Sequence, residues 1–109
     1  MMTFNEELLQ EARRNFIDGN YKMAENLLSQ LVLGNLKNPE VFQMLGTIYY
    51  DQGQFNKAIR TFKRAIEIDP NYTDASVGLS IILNDLGRYE EGRKVFEDAQ
   101  SLLDKKKNQ

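Results

Sequence analysis

Residues 39–72 read PEVFQMLGTIYYDQGQFNKAIRTFKRAIEIDPNY, and the spacing within them settles the architecture. Phe55, Ala58, Ile59, Phe62, Ala65 and Ile66 recur at intervals of three and four, which places them on one face of an amphipathic helix. Gly53 stands just before that helix. The residue past a helix end commonly takes left-handed backbone, a conformation open to glycine because it has no Cβ. Pro39 suits the first turn of a helix, and Pro70 in Asp69-Pro70-Asn71 cannot continue one. The stretch reads as helix, turn, helix.

Outward from this stretch the pattern recurs. Gly19, Gly53 and Gly87 are 34 residues apart, each followed two residues later by an aromatic: Tyr21, Phe55 and Tyr89. The same offset relates Ala24, Ala58 and Gly92, then Leu28, Phe62 and Phe96, then Leu31, Ala65 and Ala99. The period predicts helices at about 5–18, 21–33, 39–52, 55–68, 73–86 and 89–104, with ends good to ~2 to 4 residues. Ala75 to Leu83 has strand-like propensity, but its place in the period assigns it to a helix. Residues 1–109 therefore form one all-α domain of three hairpins, at about 5–38, 39–72 and 73–104, with 105–109 expected to be a charged, disordered tail.

Composition bounds the function. The chain has 109 residues, 41% of them hydrophobic, enough for one core. It has no His, Cys or Trp, which removes Ser-His and Cys-His mechanisms, disulfides and the usual zinc sites. Fourteen Lys and Arg against 16 Asp and Glu give a net charge of -2, so no overall positive field draws the molecule to nucleic acid or acidic lipid. The start carries Glu6 and Glu7 where a secretory signal needs a base, and no apolar run approaches a membrane span. These features predict a soluble, cytoplasmic protein without membrane insertion. The carboxylates Glu6, Glu7, Glu11, Asp51, Asp85, Glu90 and Glu91 are the remaining acid-base groups, and most sit near helix starts or turns, with Asp18, Asp51 and Asp85 beside glycines. No phosphate-binding glycine motif occurs. No catalytic residue, cofactor site or metal site is expected.

The middle hairpin resembles the tetratricopeptide repeat (TPR), whose pattern is an aromatic, Leu-Gly, Tyr, then Gly, Ala, Phe, Ala and Pro. The residues that carry the resemblance are Phe42, Leu45, Gly46, Tyr49, Gly53, Phe55, Ala58, Phe62, Ala65 and Pro70. The third hairpin keeps Leu79, Gly87, Tyr89, Phe96 and Ala99, with Ser76 at the aromatic position, Ser80 for Gly, Leu83 for Tyr and Gly92 for Ala. The first keeps Leu8, Ala12, Gly19, Tyr21 and Ala24. Small residues at Gly46, Ala58 and Ala65 let antiparallel helices approach, and Leu45, Tyr49, Phe55 and Phe62 fill the space left. Successive pairs must stack to bury their faces, and about three suffice. Glu11 and Asn15 would keep the open first end wet.

The resemblance implies a superhelix that binds a partner in a concave groove lined by the first helix of each pair. The implied groove residues are Glu6, Leu9, Arg13, Phe16 and Ile17, then Glu40, Gln43, Met44, Thr47, Tyr50 and Asp51, then Asp74, Val77, Gly78, Ile81, Asn84 and Asp85. Phe16, Ile17 and Ile81 could equally belong to the core; Met44 and Tyr50 are the stronger groove candidates. At the five positions where some TPR domains clamp a chaperone's terminal carboxylate, this chain has Leu9, Arg13, Met44, Asp74 and Gly78, so such a tail would meet an anion and one cation. The expected partner is a protein or peptide with Lys or Arg flanking apolar residues. Lys57, Arg60, Lys63 and Arg64 form a basic run expected on the convex side as a solvated face, so no nucleic-acid partner is expected.

At the last helix, Arg93 and Gln100 replace Ile59 and Ile66, yet Val95, Phe96, Leu102 and Leu103 stay apolar. Self-association through Val95, Phe96, Leu102 and Leu103 is one reading; an ordinary exposed edge, or a longer natural chain, is the other. The sequence thus predicts a non-catalytic protein-protein interaction module or scaffold. The alternative is a self-assembling structural protein that forms homo-oligomers through the groove or the last helix.

Overall fold

A computed structural model describes residues 1–108. It contains six helices: α1 (Phe4–Ile17), α2 (Tyr21–Leu33), α3 (Pro39–Asp51), α4 (Phe55–Ile68), α5 (Thr73–Asp85) and α6 (Tyr89–Lys107). They pair as α1 with α2, α3 with α4 and α5 with α6, and the pairs stack through α2 on α3 and through α3 and α4 on α5. The architecture is the expected all-α solenoid of helical hairpins, and the predicted helix ends hold within a residue except at the last. There, Lys105, Lys106 and Lys107 form the closing turn of α6 instead of a disordered tail, a placement that brings three cations to the negative end of the helix dipole. Gln109, the rest of that tail, lies outside the described residues.

Helix ends follow from local chemistry. Gly19, Gly53 and Gly87 all have φ of 77 to 80°, closing the first helix of each pair with the left-handed residue that glycine supplies. Between α2 and α3 that role passes to Asn35, at φ 65°, one of the few side chains that tolerate the region. Pro39 opens α3 behind the N-cap Asn38, whose side chain accepts from the Glu40 N–H at 2.9 Å. Thr3-Phe4-Asn5-Glu6 forms a capping box: Thr3 Oγ1 accepts from Glu6 N–H at 3.1 Å, and Glu6 Oε2 accepts from Thr3 N–H at 3.3 Å.

The core turns on Phe62. Its side chain is 2% exposed and lies between two glycines of different hairpins. A Cβ added at Gly46 of α3 would sit 2.7 Å from Cε2 of the ring, and one added at Gly78 of α5 would sit 2.6 Å from Cε1. One ring edge thus meets the hairpin's own partner helix and the other meets the next hairpin. One period earlier the same places hold Leu28 and Met44, both in the core. In the third pair, Ser80 stands for Gly46 and Gly92 for Ala58. A Cβ at Gly92 would come within 3.2 Å of the Ser80 carbonyl oxygen and 2.6 Å of Asn84 Oδ1, so α6 approaches α5 closely at this glycine. Ala58 and Ala65 are fully buried and Leu45 nearly so. Phe55 departs from expectation: it is 38% exposed, resting against Tyr50 with ring centroids 5.7 Å apart.

Two tyrosines belong to this packing. Burial pushes the Tyr49 phenol above its ordinary range, and the nearby Glu25 adds to the shift; burial also raises Tyr72, where Glu40 and Asp74 add to it and Arg13 opposes.

Two outcomes follow from this packing. Gly78→Ala should lower stability by about 1–3 kcal/mol through overpacking against Phe62, measured by urea denaturation. The cost should shrink by half or more in a Phe62→Leu background, and strict additivity would show that the ring is not the obstacle. As for pH, raised phenol values mean that the neutral form is favoured by folding, so this stabilisation is complete below pH ~10 and is lost as pH rises through the raised values. The urea midpoint should therefore fall on the alkaline side, and Tyr72→Phe should blunt the fall; an identical alkaline profile in that variant would contradict the assignment.

Candidate functional site

The first helices of the three pairs, α1, α3 and α5, carry the residues expected to line the groove, and the structure sorts them into core, paired and free. Leu9 and Met44 are core residues, 8% and 3% exposed, so the expectation that Met44 is a leading groove contact is corrected. The reason is register: Met44 holds the place that Gly78 holds one period later, the receiver of the preceding hairpin's wedge. Gly78 itself is pressed against Phe62 and presents little to a ligand. Asn84 is also displaced. Its Oδ1 points at α6 near Gly92, and it lines a shallow cleft there with Ser80, Arg93 and Phe96.

A second group is engaged in side-chain contacts between or within hairpins. Arg13 of α1 donates to Glu40 of α3 from Nε at 2.7 Å and from Nη2 at 2.5 Å, a bidentate bridge across two hairpins. The Glu40 carboxylate holds the Arg13 guanidinium above its ordinary range. Tyr72, at the N-cap of α5, lies close enough that both charges act on it. Both bridge partners keep contact with water, at 44% and 27% side-chain exposure, so the pair is worth no more than about 1 kcal/mol and weakens in salt. At the other end, the Tyr50 hydroxyl donates to Asp85 Oδ2, joining α3 to α5, and that bond raises the Tyr50 phenol. Tyr21 lies beside Asp51, and burial first and that carboxylate second raise its phenol. Asp51 and Asp85 therefore face tyrosines, a role that the turn-backbone reading had missed. Thr47 bonds back to the Gln43 carbonyl at 3.1 Å, and the Gln43 amide reaches Thr47 Oγ1 at 3.4 Å. Glu6 serves the capping box of α1.

What stays free lies on α5. Val77 and Ile81 are 42% and 49% exposed and sit four residues apart on one helical face. Asp74 precedes them by a turn and Asp85 follows by a turn, giving an apolar pair bracketed by two carboxylates. Among the described residues, Asp51, Asp74 and Asp85 take part in no salt bridge. Of the residues open to either reading, Ile17 is exposed and Phe16 is half-buried, its ring stacked on Tyr21 at 5.4 Å. The geometry gathers one strip of anionic and apolar surface, while the lone base, Arg13, is already spent on Glu40.

The other expected surfaces also resolve. In the basic run, Lys57 Nζ stands 4.4 Å from the centroid of the Tyr49 ring and the Arg64 guanidinium stands 6.0 Å from that of Phe42, so two of the four cations rest on aromatic rings of α3. Of the self-association set, Phe96 and Leu103 are exposed, but Val95 and Leu102 turn toward α4 and line a cavity there. No helix of the described residues is long and apolar enough to cross a membrane.

Known proteins give the same architecture. The tetratricopeptide repeat model matches residues 39–72, the stretch whose period extends over the whole chain. An uncharacterized protein of Methanocaldococcus jannaschii is 39% identical over 62 residues, covering 57% of this chain and 72% of that protein. Among solved structures, MamA of AMB-1 superposes with a TM-score of 0.76 at 26% identity, over 89% of this chain and 53% of that one. The Sgt2 TPR domain from Aspergillus fumigatus superposes with a TM-score of 0.78 at 22% identity, over 90% of this chain and 65% of that one. This chain therefore spans between half and two thirds of the length of either solved protein. With the period, the left-handed glycines and the Phe62 wedge in place, the chain belongs to the tetratricopeptide repeat family, a class of protein-protein interaction modules.

Proposed function

We propose that the chain is a non-catalytic module whose concave strip on α5 binds a partner segment with apolar residues at its centre and Lys or Arg on either side. The observation that carries this reading is the order Asp74, Val77, Ile81, Asp85 on one helix face, with both apolar side chains in contact with water. A segment with complementary order would bury the two side chains and place its bases against the two carboxylates, charge steering its approach and fixing its register. The pairing of Arg13 with Glu40 supports the exclusion of a terminal-carboxylate ligand, because the one cation in the groove is already bound.

The test is a blocked peptide with two Leu residues flanked on each side by Lys, followed by fluorescence anisotropy. Its affinity should fall as salt rises and drop about tenfold, ~1.4 kcal/mol, in Asp74→Lys. Equal binding by that variant, or by a peptide flanked with Glu, would remove the α5 strip as the site.

A second reading, self-assembly, is favoured by Phe96. This residue occupies in the third hairpin the place of Phe62 in the second, yet it is 52% exposed where Phe62 is 2% exposed. It is a wedge without a receiving glycine, and a second copy of the chain would supply apolar cover. Light scattering over a wide concentration range should then show mass rising with concentration, with Phe96→Glu returning the monomer. A monomer mass at every concentration would remove the reading.

A further inference from the structure

The cavity between α4 and α6 has a volume of about 430 Å³. Its floor is Ser76, Leu79 and Ala99, and its walls include Ile66, Val95 and Leu102. It opens to water between Lys63, Glu67 and Asp98, all three exposed. None of these residues belongs to the groove on α5.

The internal repeat shows what this space is shaped for. One period earlier, Phe42 stands where Ser76 stands, and the Arg64 guanidinium lies over its ring. The equivalent cavity there, lined by Phe42 together with Val32, Leu45 and Thr61, is smaller, about 340 Å³. Asp98, Ala99 and Leu102 line the third hairpin's cavity, but their counterparts Arg64, Ala65 and Ile68 do not line the second's. The Phe42 ring takes that part of the space. In the third hairpin the ring is gone, Ser76 leaves the pocket apolar and vacant, and the cation that covered the ring is replaced by the carboxylate of Asp98. Ring and cation have been removed at the same site, and an anion has been put in the cation's place.

We propose that this cavity is a second docking site, on the α4–α6 side of the molecule, for a partner segment that carries an aromatic side chain next to an Arg or Lys. The aromatic ring takes the place vacated at Ser76, and the base meets Asp98. The rim supports this polarity. Lys63 is close enough to Glu91 to act on its carboxyl, and Arg64 engages Glu67 at 3.3 Å, whereas Asp98 takes part in no salt bridge among the described residues. Among those residues Lys63 is in no salt bridge either, but it lies on α4, whereas Asp98 stands on α6 at the repeat position of the cation that covers the Phe42 ring. An apolar pocket with a charge at its mouth is the usual form of an anchor site.

The probe is the blocked dipeptide Phe-Arg, titrated into isotopically labelled protein and followed by NMR. It should bind in the millimolar range and shift the methyl signals of Leu79, Val95 and Leu102, leaving Val77 and Ile81 of the groove unmoved. The blocked dipeptides Ala-Arg and Phe-Glu should each bind about tenfold more weakly. Ser76→Phe, which rebuilds the second hairpin's packing, should abolish the response and raise the melting temperature by a few degrees. Should that variant fail to fold, Asp98→Lys decides, since Asp98 is exposed: it should leave the melting temperature unchanged and weaken Phe-Arg about tenfold. Unchanged binding in either folded variant, shifts confined to Val77 and Ile81, or equal binding of Phe-Glu would overturn the proposal.

Discussion

The structure depends on one aromatic ring held edge to edge between two glycines. Phe62 belongs to α4, but its ring abuts α3 at Gly46 and α5 at Gly78 at separations that leave no room for a methyl group on either helix. Closing the middle hairpin and stacking the third hairpin on it are therefore the same packing event. Full burial of a Phe side chain contributes roughly 1.5–3 kcal/mol, a sizeable share of the 5–15 kcal/mol typical of a whole domain. In a solenoid, where each unit touches only its neighbours, one such contact carries much of the coupling between them.

That constraint sets what surface is left for recognition. Positions that a repeat register alone would assign to the groove are claimed by the wedge and its receiver: Gly78 by Phe62, and Met44 by its place opposite Leu28. A bridge between hairpins then occupies a charge that would otherwise face a ligand, Arg13 with Glu40. The exposed acid-apolar strip on α5 remains, held in place by neighbouring side chains. Tyr50 is one of these. Its hydroxyl bonds Asp85 at one end of the strip, while the Asp74 carboxylate at the other end lies close enough to Tyr72 to raise its phenol.

How far the sequence could be read follows from the range of each interaction. Helix ends, the left-handed glycines and the stacking of hairpins rest on local chemistry and on a period repeated three times, so Gly53 and Gly87 could be placed before any coordinates. The capping box was also present in the order Thr3-Phe4-Asn5-Glu6, a local signal that the reading passed over. The groove was less legible because the side a residue faces depends on volumes exchanged across helices. Met44 sits inside at the repeat position that Gly78 holds one period later, and Asn84 Oδ1 lies where a side chain at Gly92 would sit. Ser76 was recognised as a missing aromatic, but only the packed structure shows that no neighbour moves in to fill the gap. Tyr21 and Tyr50 fell between these cases: each is visible in the sequence, but its carboxylate partner lies on another hairpin.

The third hairpin carries less side-chain volume than the second at three repeat positions. Ser76 replaces Phe42, Leu83 replaces Tyr49 and Gly92 replaces Ala58, against the small gain of Ser80 for Gly46. The result is visible in burial: α4 buries Ala58, Ile59, Phe62 and Ala65, whereas the longer α6 buries Gly92 and Ala99 alone. Elements with few buried contacts are the first to open locally, which makes α6, like α1 with Leu9 and Ala12, a weakly held end of the stack. Two unfilled features, the cavity at Ser76 and the exposed ring of Phe96, lie along this helix. Segments that bind partners are drawn from the weakly held end of a fold, because surface already satisfied within the chain has little to gain from a partner. In the proposals above, packing given up inside the third hairpin is what leaves surface for a partner on its outside.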